Sequence, residues 1–260
     1  MSFLDHLEAL RWHLIRSVIV VVALAIVAFV KKSFVFDVLV LGPKNPDFLT
    51  YQWLCKLSDK TGIDLCIEEI SFVVKNLAMA GSFTMHMWVA IVAGIIVGFP
   101  YIAWEIWRFI KPALKSSELK YARGMVFYIS ILFMIGVLFG YYIISPLSVN
   151  FLGGYTVSAE VPNEISLQSY VSTVATLTLM AGVVFELPVF VYFLTKIGLV
   201  NPPFLRAYRR HSIVVILIIA ALITPSPDII SQIIVAIPLL LLYEVGIYVS
   251  KMVVKGQENV

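Results

Sequence analysis

The sequence predicts an all-α, polytopic membrane protein with six transmembrane helices, the last two short, forming a concave, cupped bundle. Of its 260 residues, 60% are hydrophobic and only 13% are charged, and the mean hydropathy is +0.95. A soluble domain of this length could not bury so much apolar surface. The apolar residues also fall in runs of helical length. We therefore expect one integral membrane domain over residues 1–260.

Four of the predicted spans are long enough for a full crossing, which takes about 20 apolar residues. The first of them ends at Lys31 and Lys32 without a small-residue cleavage site, so it does not read as a cleaved signal peptide. Small-residue pairs such as Gly94 with Gly98 predict close helix packing. The six predicted spans are about 15–36, 69–99, 124–146, 168–195, 211–224 and 229–249.

The last two spans contain unusually short apolar runs, Ser212–Thr224 and Ile229–Tyr243. At 1.5 Å per residue each run covers about 20 Å, against a hydrocarbon core of about 30 Å. Two prolines, Pro225 and Pro227, lie between them. We expect a short helical hairpin that thins the bilayer beside it.

Basic residues set the predicted orientation. If the amino terminus lies inside, the inner segments hold thirteen of the 19 Lys and Arg residues, and the other six lie in or near the first outer segment, from Lys31 to Lys75. The positive-inside rule then places both termini inside. The net charge of +3 follows from this topology and does not indicate nucleic-acid binding. The inner basic residues are Arg11, Arg16, Arg108, Lys111, Lys115, Lys120, Arg123, Lys196, Arg206, Arg209, Arg210, Lys251 and Lys255.

The first outer segment, from about Asp37 to Glu69, is the largest loop. We expect a short helix over Phe48–Leu57 at its outer rim, because this stretch is rich in aromatic and aliphatic residues. The chain's two cysteines, Cys55 and Cys66, both fall here. An extracytoplasmic loop permits a disulfide between them, and two independent buried thiols are the alternative.

The sequence offers no catalytic motif: a Walker A loop, H-E-x-x-H and G-x-S-x-G are all missing from it. The four histidines are scattered over different spans and do not group as metal ligands, so we expect no metal, no cofactor and no enzyme. We expect His86 to hydrogen-bond a neighbouring helix.

Glu186 is the acidic residue that the hydropathy pattern places deepest in the membrane. It lies ten residues before Lys196, or about 15 Å along a helix, near the midplane. A charged carboxylate at that depth costs at least about 2.5–3.5 kcal/mol, so water, a partner chain or protonation must compensate it. A neutral Glu186 bonded to a neighbouring helix is the alternative. Glu105 and Glu118 are expected in a solvated inner loop among basic residues.

Four stretches of the sequence resemble the TatC family of twin-arginine translocase receptors. The segment 3–11 (FLDHLEALR) is similar to the opening motif of that family, and 98–118 (GFPYIAWEIWRFIKPALKSSE) to its first cytoplasmic loop. The segment 184–188 (VFELP) resembles its acidic motif in the fourth helix, and 224–240 its final hairpin. The resemblance extends in order over nearly the whole chain.

The resemblance implies a receptor in a bacterial cytoplasmic (inner) membrane. Such a protein binds the twin-arginine signal peptides of folded precursors and recruits small single-span partners of the TatA and TatB type. Transport is driven by the proton-motive force, and both homo- and hetero-oligomers are implied. The residues that match signal-peptide positions are Arg11, Phe109 and Glu118, and both Phe109 and Pro112 match structural residues of the first cytoplasmic loop. Those that match intramembrane or partner positions are Glu186, Thr224 and Gln232.

One departure from the family pattern concerns the first carboxylate. The family's glutamate aligns with Ala9, whereas this chain has Glu8, which turns the carboxylate by about 100° on a helix. Either Glu8 reaches the same place from another face, or Glu118 does more of the recognition. Carboxylates suit this task because they pair bidentately with guanidinium groups.

Two other classes of protein fit a polytopic chain. A secondary transporter would use Glu186 as a proton carrier, but the two halves of the sequence show no inverted repeat. An intramembrane enzyme would need a second catalytic group near Glu186, where the span offers only serines and threonines on its outer half: Ser172, Thr173, Thr176 and Thr178.

Overall fold

The computed structural model describes residues 3–62, 66, 72–111, 124–156, 158, 163–224 and 229–258. These residues form ten α-helices, two π-helical segments (Phe34–Val40 and Gly140–Ile144), one 3-10 turn (Gly42–Lys44) and two short strands. Five helical stretches are long and apolar enough to cross a membrane: Glu8–Val30, Gly81–Ile110, Met125–Gly154, Leu167–Lys196 and Gln232–Gly256. The elements are α1 (Phe3–Val30), α2 (Leu49–Thr61), β1 (Val73–Lys75), α3 (Gly81–Ile110), α4 (Met125–Phe139), α5 (Ser145–Gly154), β2 (Glu164–Ser166), α6 (Leu167–Phe185), α7 (Leu187–Lys196), α8 (Pro202–Ala207), α9 (Arg209–Ile223) and α10 (Ile229–Glu258).

Helix α1 packs antiparallel along α3, and small residues allow the two backbones to approach. A Cβ added at Gly94 would lie 2.6 Å from the carbonyl oxygen of Val21. We call the end of the helix bundle at which α1 begins the inner end and the opposite end the outer end, as labels of position alone. Near the outer end of the pair, His86 hydrogen-bonds the carbonyl of Phe29 at 3.0 Å, as predicted. A Cβ at Gly136 of α4 would lie 2.7 Å from the carbonyl of Ala181 in α6. The predicted close helix packing is thereby confirmed.

The second long helix differs from the predicted span 69–99, because α3 begins at Gly81 and continues through Pro100 to Ile110. Part of the apolar run before it is extended, since β1 pairs in parallel with β2. Pro100 removes one backbone hydrogen bond and its ring crowds the carbonyl of Ile96, yet α3 continues through it, as membrane-spanning helices packed against neighbours often do. The α3 extension places Glu105 on a helix, where the sequence predicted a loop.

The predicted span 168–195 is one helical stretch with a break in it. Helix α6 ends at Phe185, Glu186 has φ −73° and ψ 0°, and α7 begins at Leu187. Pro188 has no N–H to donate to the carbonyl of Val184, so the regular ladder is interrupted here. The break lies at the residue that the sequence places near the membrane midplane.

The final hairpin has one short helix and one long one. Helix α9 has 15 residues, or about 22 Å, and falls short of a full crossing. Helix α10 has 30 residues and continues beyond the predicted 229–249. Two of its polar residues after Tyr243 contact other helices, since Glu244 pairs with Arg209 and Ser250 accepts a hydrogen bond from Thr195 at 2.9 Å.

The outer loop is packed against the outer ends of the spans. Tyr51 of α2 is buried, and its hydroxyl lies 2.8 Å from the carbonyl of Pro43 and 3.0 Å from that of Pro146. Burial raises the pKa of this hydroxyl above its usual range. Cys55 and Cys66 are joined by a disulfide. Helix α2 agrees with the short helix predicted at Phe48–Leu57.

Candidate functional site

The inner ends of α1 and α3 meet at a cluster of polar side chains around Glu105. The Glu105 side chain is only 1% exposed, and its carboxylate is ion-paired and hydrogen-bonded with His13 of α1. Tyr101 donates to the same carboxylate at 2.9 Å, and Arg108 at 3.3 Å. Glu105 therefore has three polar partners, and the solvated inner loop predicted for it is wrong. The reason is that α3 continues through Pro100.

Aromatic side chains flank this cluster. The ring of Phe109, a predicted signal-peptide residue, stands edge-on to the His13 ring at 6.1 Å between centroids. The Arg108 guanidinium lies 4.8 Å from the centre of the Trp104 ring, a cation–π contact. Phe109 thus belongs to the joint between α1 and α3, and the inner end of α3 is held in place from two sides.

Sequence reasoning missed Glu105 and His13 as members of this site. The sequence contained an indication, because Tyr101 and Glu105 are spaced i, i+4 and Glu105 and Arg108 are spaced i, i+3. These spacings bring side chains together on one helix face. That signal counts only if the helix extends past Pro100. His13 carried no comparable indication, since its partner lies 92 residues away in the chain.

Glu8 and Arg11 are exposed residues of α1, and they lie beyond the Glu105 cluster. Five residues of helix separate Glu8 from His13, or about 7.5 Å, in the direction of the amino terminus. Because α1 and α3 run antiparallel and Ile110 lies five residues beyond Glu105, Glu8 is near the level of the end of α3. Within the described residues, Glu8 makes no ion pair closer than 4.0 Å. Glu118 and Pro112 lie outside the described residues.

Glu186 borders a partly open cavity of about 230 Å³ between α3, α4 and α7. Both carboxylate oxygens of Glu186 are buried, and no hydrogen-bond partner for them lies in the described part of the chain. The rest of the lining is apolar and largely aromatic. It comprises Phe99, Ala103, Ile106, Trp107, Ile110, Ile129, Val189, Phe190 and Phe193.

An unpartnered carboxylate beside an apolar cavity is costly, and the cost must be offset by water, a proton or another chain. The volume exceeds that of several water molecules, at about 30 Å³ each in the liquid. The structure therefore gives Glu186 space for an external partner. It does not bring Glu186 together with the inner cluster, because Glu105 points toward α1 and the cavity lies on the opposite side of α3.

Thr224 and Gln232 lie at the outer end of the final hairpin. Thr224 is buried, and its hydroxyl donates to the carbonyl of Ala220 in its own helix at 2.9 Å. The Gln232 amide donates to the carbonyl of Leu217 in α9 at 3.0 Å. Both polar groups are used within the hairpin, and Gln232 ties its two helices together.

The long apolar helices, the packed joints and the broken span together define a multi-pass helical membrane protein. The sequence model described as "Sec-independent protein translocase protein (TatC)" matches residues 5–238 of this chain. The chain therefore belongs to the TatC family. It is a protein-translocase component rather than an enzyme, with a role in a translocase complex with other Tat components.

Individual relatives agree with the family assignment. A Sec-independent protein translocase protein TatC of Blattabacterium sp. subsp. Periplaneta americana is 39% identical over 253 residues, covering 96% of this chain and 95% of the relative. The TatC protein of Aquifex aeolicus is 32% identical over 262 residues, and the match covers 100% of this chain and 99% of that relative. A crystal structure described as "Twin Arginine Translocase Receptor- TatC" matches with a TM-score of 0.70 at 30% identity. The match covers 96% of this chain and 99% of that structure's chain.

Proposed function

We propose that this chain is the receptor subunit of a twin-arginine protein translocase. It binds the twin-arginine signal peptides of folded precursors at the cytoplasmic face of a bacterial inner membrane, with both termini inside. It then recruits small single-span partners of the TatA and TatB type for transport driven by the proton-motive force. The description of the matched crystal structure as a twin-arginine translocase receptor supports the proposal.

The observation that carries the proposal is that two carboxylates at the inner end differ in their partners and exposure. Glu105 is buried and held by His13, Tyr101 and Arg108. Glu8 is exposed, and it lies near the level of Ile110, where α3 ends. We assign the reading of the arginine pair to Glu118, which matches the family's loop carboxylate, and to Glu8, because an arginine fork needs a carboxylate that is not already paired.

Magnitudes limit what the carboxylates supply. Exposed ion pairs contribute about 0–1 kcal/mol each and charge-assisted hydrogen bonds about 1.5–3 kcal/mol, whereas micromolar binding needs about 8 kcal/mol. The signal peptide's apolar segment must supply the remainder. The amino half of α1 offers a surface for it, since Leu10, Leu14 and Val18 are all exposed. Arg11 and Phe109 border the same end of the bundle.

Partner recruitment is assigned to Glu186 and to the final hairpin with Thr224 and Gln232. The unpartnered carboxylate and its cavity fit a polar group on an incoming single-span helix. The short α9 leaves a thin region of membrane beside it, which a short partner span would match.

A pull-down with the full chain in detergent tests the proposal. A precursor with an intact arginine pair and the small single-span proteins should be retained. The same precursor with a Lys-Lys pair should be lost, because lysine cannot form the bidentate contact. Equal retention of both precursors, with the protein monodisperse, would contradict the receptor function and favour a small-solute transporter.

A further inference from the structure

From its basic and aromatic side chains, we infer that the elbow between α7 and α9, residues 196–211, binds the headgroup of an anionic phospholipid. The sequence contains no Asp or Glu between Glu186 and Asp228, yet it places Arg206, Arg209 and Arg210 within five residues. The elbow therefore contains no carboxylate of its own, and any carboxylate partner must come from another element.

Only one of these arginines has a carboxylate partner within the described residues. Arg209 pairs with Glu244 of α10 at 2.6 Å. Arg206 and Arg210 are exposed and have no carboxylate within 4.0 Å in the described part of the chain. Both lie next to the amino end of α9, where the helix dipole also favours an anion. A phosphate group suits this arrangement, because guanidinium groups bind it bidentately.

The apolar side chains of the elbow identify the anion as part of a lipid. Ile197 and Leu199 are 68% and 69% exposed, and Phe204 and Tyr208 are 45% and 47% exposed. The ring of Tyr208 lies against both Phe204, at 4.5 Å, and His211, at 5.4 Å. Exposed aromatic and aliphatic groups beside arginines are the composition of a membrane-interface segment. A free phosphate would leave these apolar groups uncovered, whereas the acyl chains of a lipid bury them.

The elbow is rigid enough to form a site before a lipid arrives. Asn201 caps α8 by accepting a hydrogen bond from the backbone N–H of Phe204 at 2.8 Å. Leu205 is buried against Val191 and Ile247, and its carbonyl accepts a hydrogen bond from Tyr243 at 2.7 Å. The apolar side chains that remain outside are thus held outward by the packing of their neighbours.

A bound headgroup would fix the depth of α9. Its inner end would stay at the headgroup level. Because the helix is about 22 Å long and the hydrocarbon core about 30 Å thick, the missing length would lie at its outer end. This inference uses the proposed orientation only to choose the leaflet. Lipid binding in detergent does not depend on that orientation or on signal-peptide recognition. A failure of the lipid-binding inference can therefore be distinguished from a failure of the proposed receptor function.

The test is native mass spectrometry of the full chain in detergent, titrated with dioleoyl phosphatidylglycerol or dioleoyl phosphatidylcholine. Each basic residue near an anionic headgroup contributes about 1 kcal/mol, or about fivefold in affinity. R210Q should therefore lose about fivefold and R206Q/R210Q roughly 25-fold in phosphatidylglycerol binding. The matched control K251Q/K255Q removes two exposed charges from the inner end of α10 and should change binding by less than about twofold.

Three results would overturn the inference. Equal losses in R206Q/R210Q and K251Q/K255Q would mean that only overall charge matters. Displacement of phosphatidylglycerol by equimolar inorganic phosphate would identify a phosphate site rather than a lipid site. Displacement by an equimolar acidic helical peptide would identify a protein-docking surface. If the double variant is not monodisperse, the phosphatidylglycerol affinity of R210Q is compared with that of the wild type instead.

Discussion

His13 of α1 and Glu105 of α3 form an ion pair that joins the inner ends of two helices 92 residues apart in the chain. The carboxylate is buried, while the imidazole is 18% exposed. The pair fixes where α3 ends relative to α1. It thereby positions the exposed Glu8 near the level of Ile110, the last residue of α3.

Removing Glu105 should destabilise this joint. We expect Glu105→Ala to lower the free energy of unfolding by about 2 kcal/mol, because His13, Tyr101 and Arg108 lose a charged acceptor. Denaturant-induced unfolding in detergent micelles measures this. A double-mutant cycle between His13→Ala and Glu105→Ala should give a coupling above about 0.5 kcal/mol. Glu164→Ala is the control, since its pair with Lys75 is half exposed and should contribute about 0–1 kcal/mol. Equal effects of the two alanine variants would refute the role of the joint.

Glu8 should contact the signal peptide directly. In a cycle between Glu8→Gln and an Arg-to-Gln change in the peptide, we expect a coupling above about 0.5 kcal/mol. Peptide affinities measured by calorimetry in nanodiscs provide the four values. If the two changes are additive, Glu8 only solvates the helix and Glu118 reads the pair alone.

Cys55 and Cys66 should be bridged in protein taken from an oxidising compartment. A thiol-blocking reagent should then modify neither cysteine until a reductant is added. In Cys55→Ser the remaining Cys66 should react without reductant, which makes that variant the positive control. Non-reducing mass spectrometry of the blocked protein measures both, and two alkylated thiols in the wild type would exclude the bridge.

Glu186→Ala should leave the protein folded and able to bind signal peptide, yet impair a later step of transport. The physical reason is that both carboxylate oxygens are buried beside the cavity without a hydrogen-bond partner in the described part of the chain, so water, a proton or another chain must offset the cost. Glu186→Gln should be milder if hydrogen bonding is sufficient. Glu244→Ala removes an exposed carboxylate on α10 and serves as the control. Normal transport by Glu186→Ala, at equal protein levels in cells, would leave Glu186 with a structural role only.

Periodicity and charge were sufficient to predict the class of fold from the sequence. The long apolar runs became the spanning helices, and Pro188 accounts for the break at Glu186 because proline removes a ladder hydrogen bond. The short α9 was also predicted, since its apolar run is bounded by His211 and Pro225. These features depend on local sequence alone.

Tertiary pairing accounts for what the sequence could not predict. The strand Val73–Lys75 forms because Glu164–Ser166 lies beside it. Helix α10 continues past residue 249, and α9 and α7 supply partners for its polar residues Glu244 and Ser250. Glu105 was predicted in a loop because the second span was expected to end at residue 99, whereas α3 continues to Ile110. Long-range partners decided each of these cases.

The central claim is that carboxylates on the inner face read the arginine pair of a signal peptide. The most direct measurement is the ratio of affinities for an Arg-Arg and a Lys-Lys signal peptide, determined by calorimetry for the wild type, Glu118→Ala and Glu8→Gln in nanodiscs. The wild type should prefer the Arg-Arg peptide by at least about tenfold, or about 1.4 kcal/mol. That preference should fall in Glu118→Ala and, to a lesser extent, in Glu8→Gln, while Glu244→Ala keeps it. An undiminished preference in both Glu118→Ala and Glu8→Gln would contradict the account.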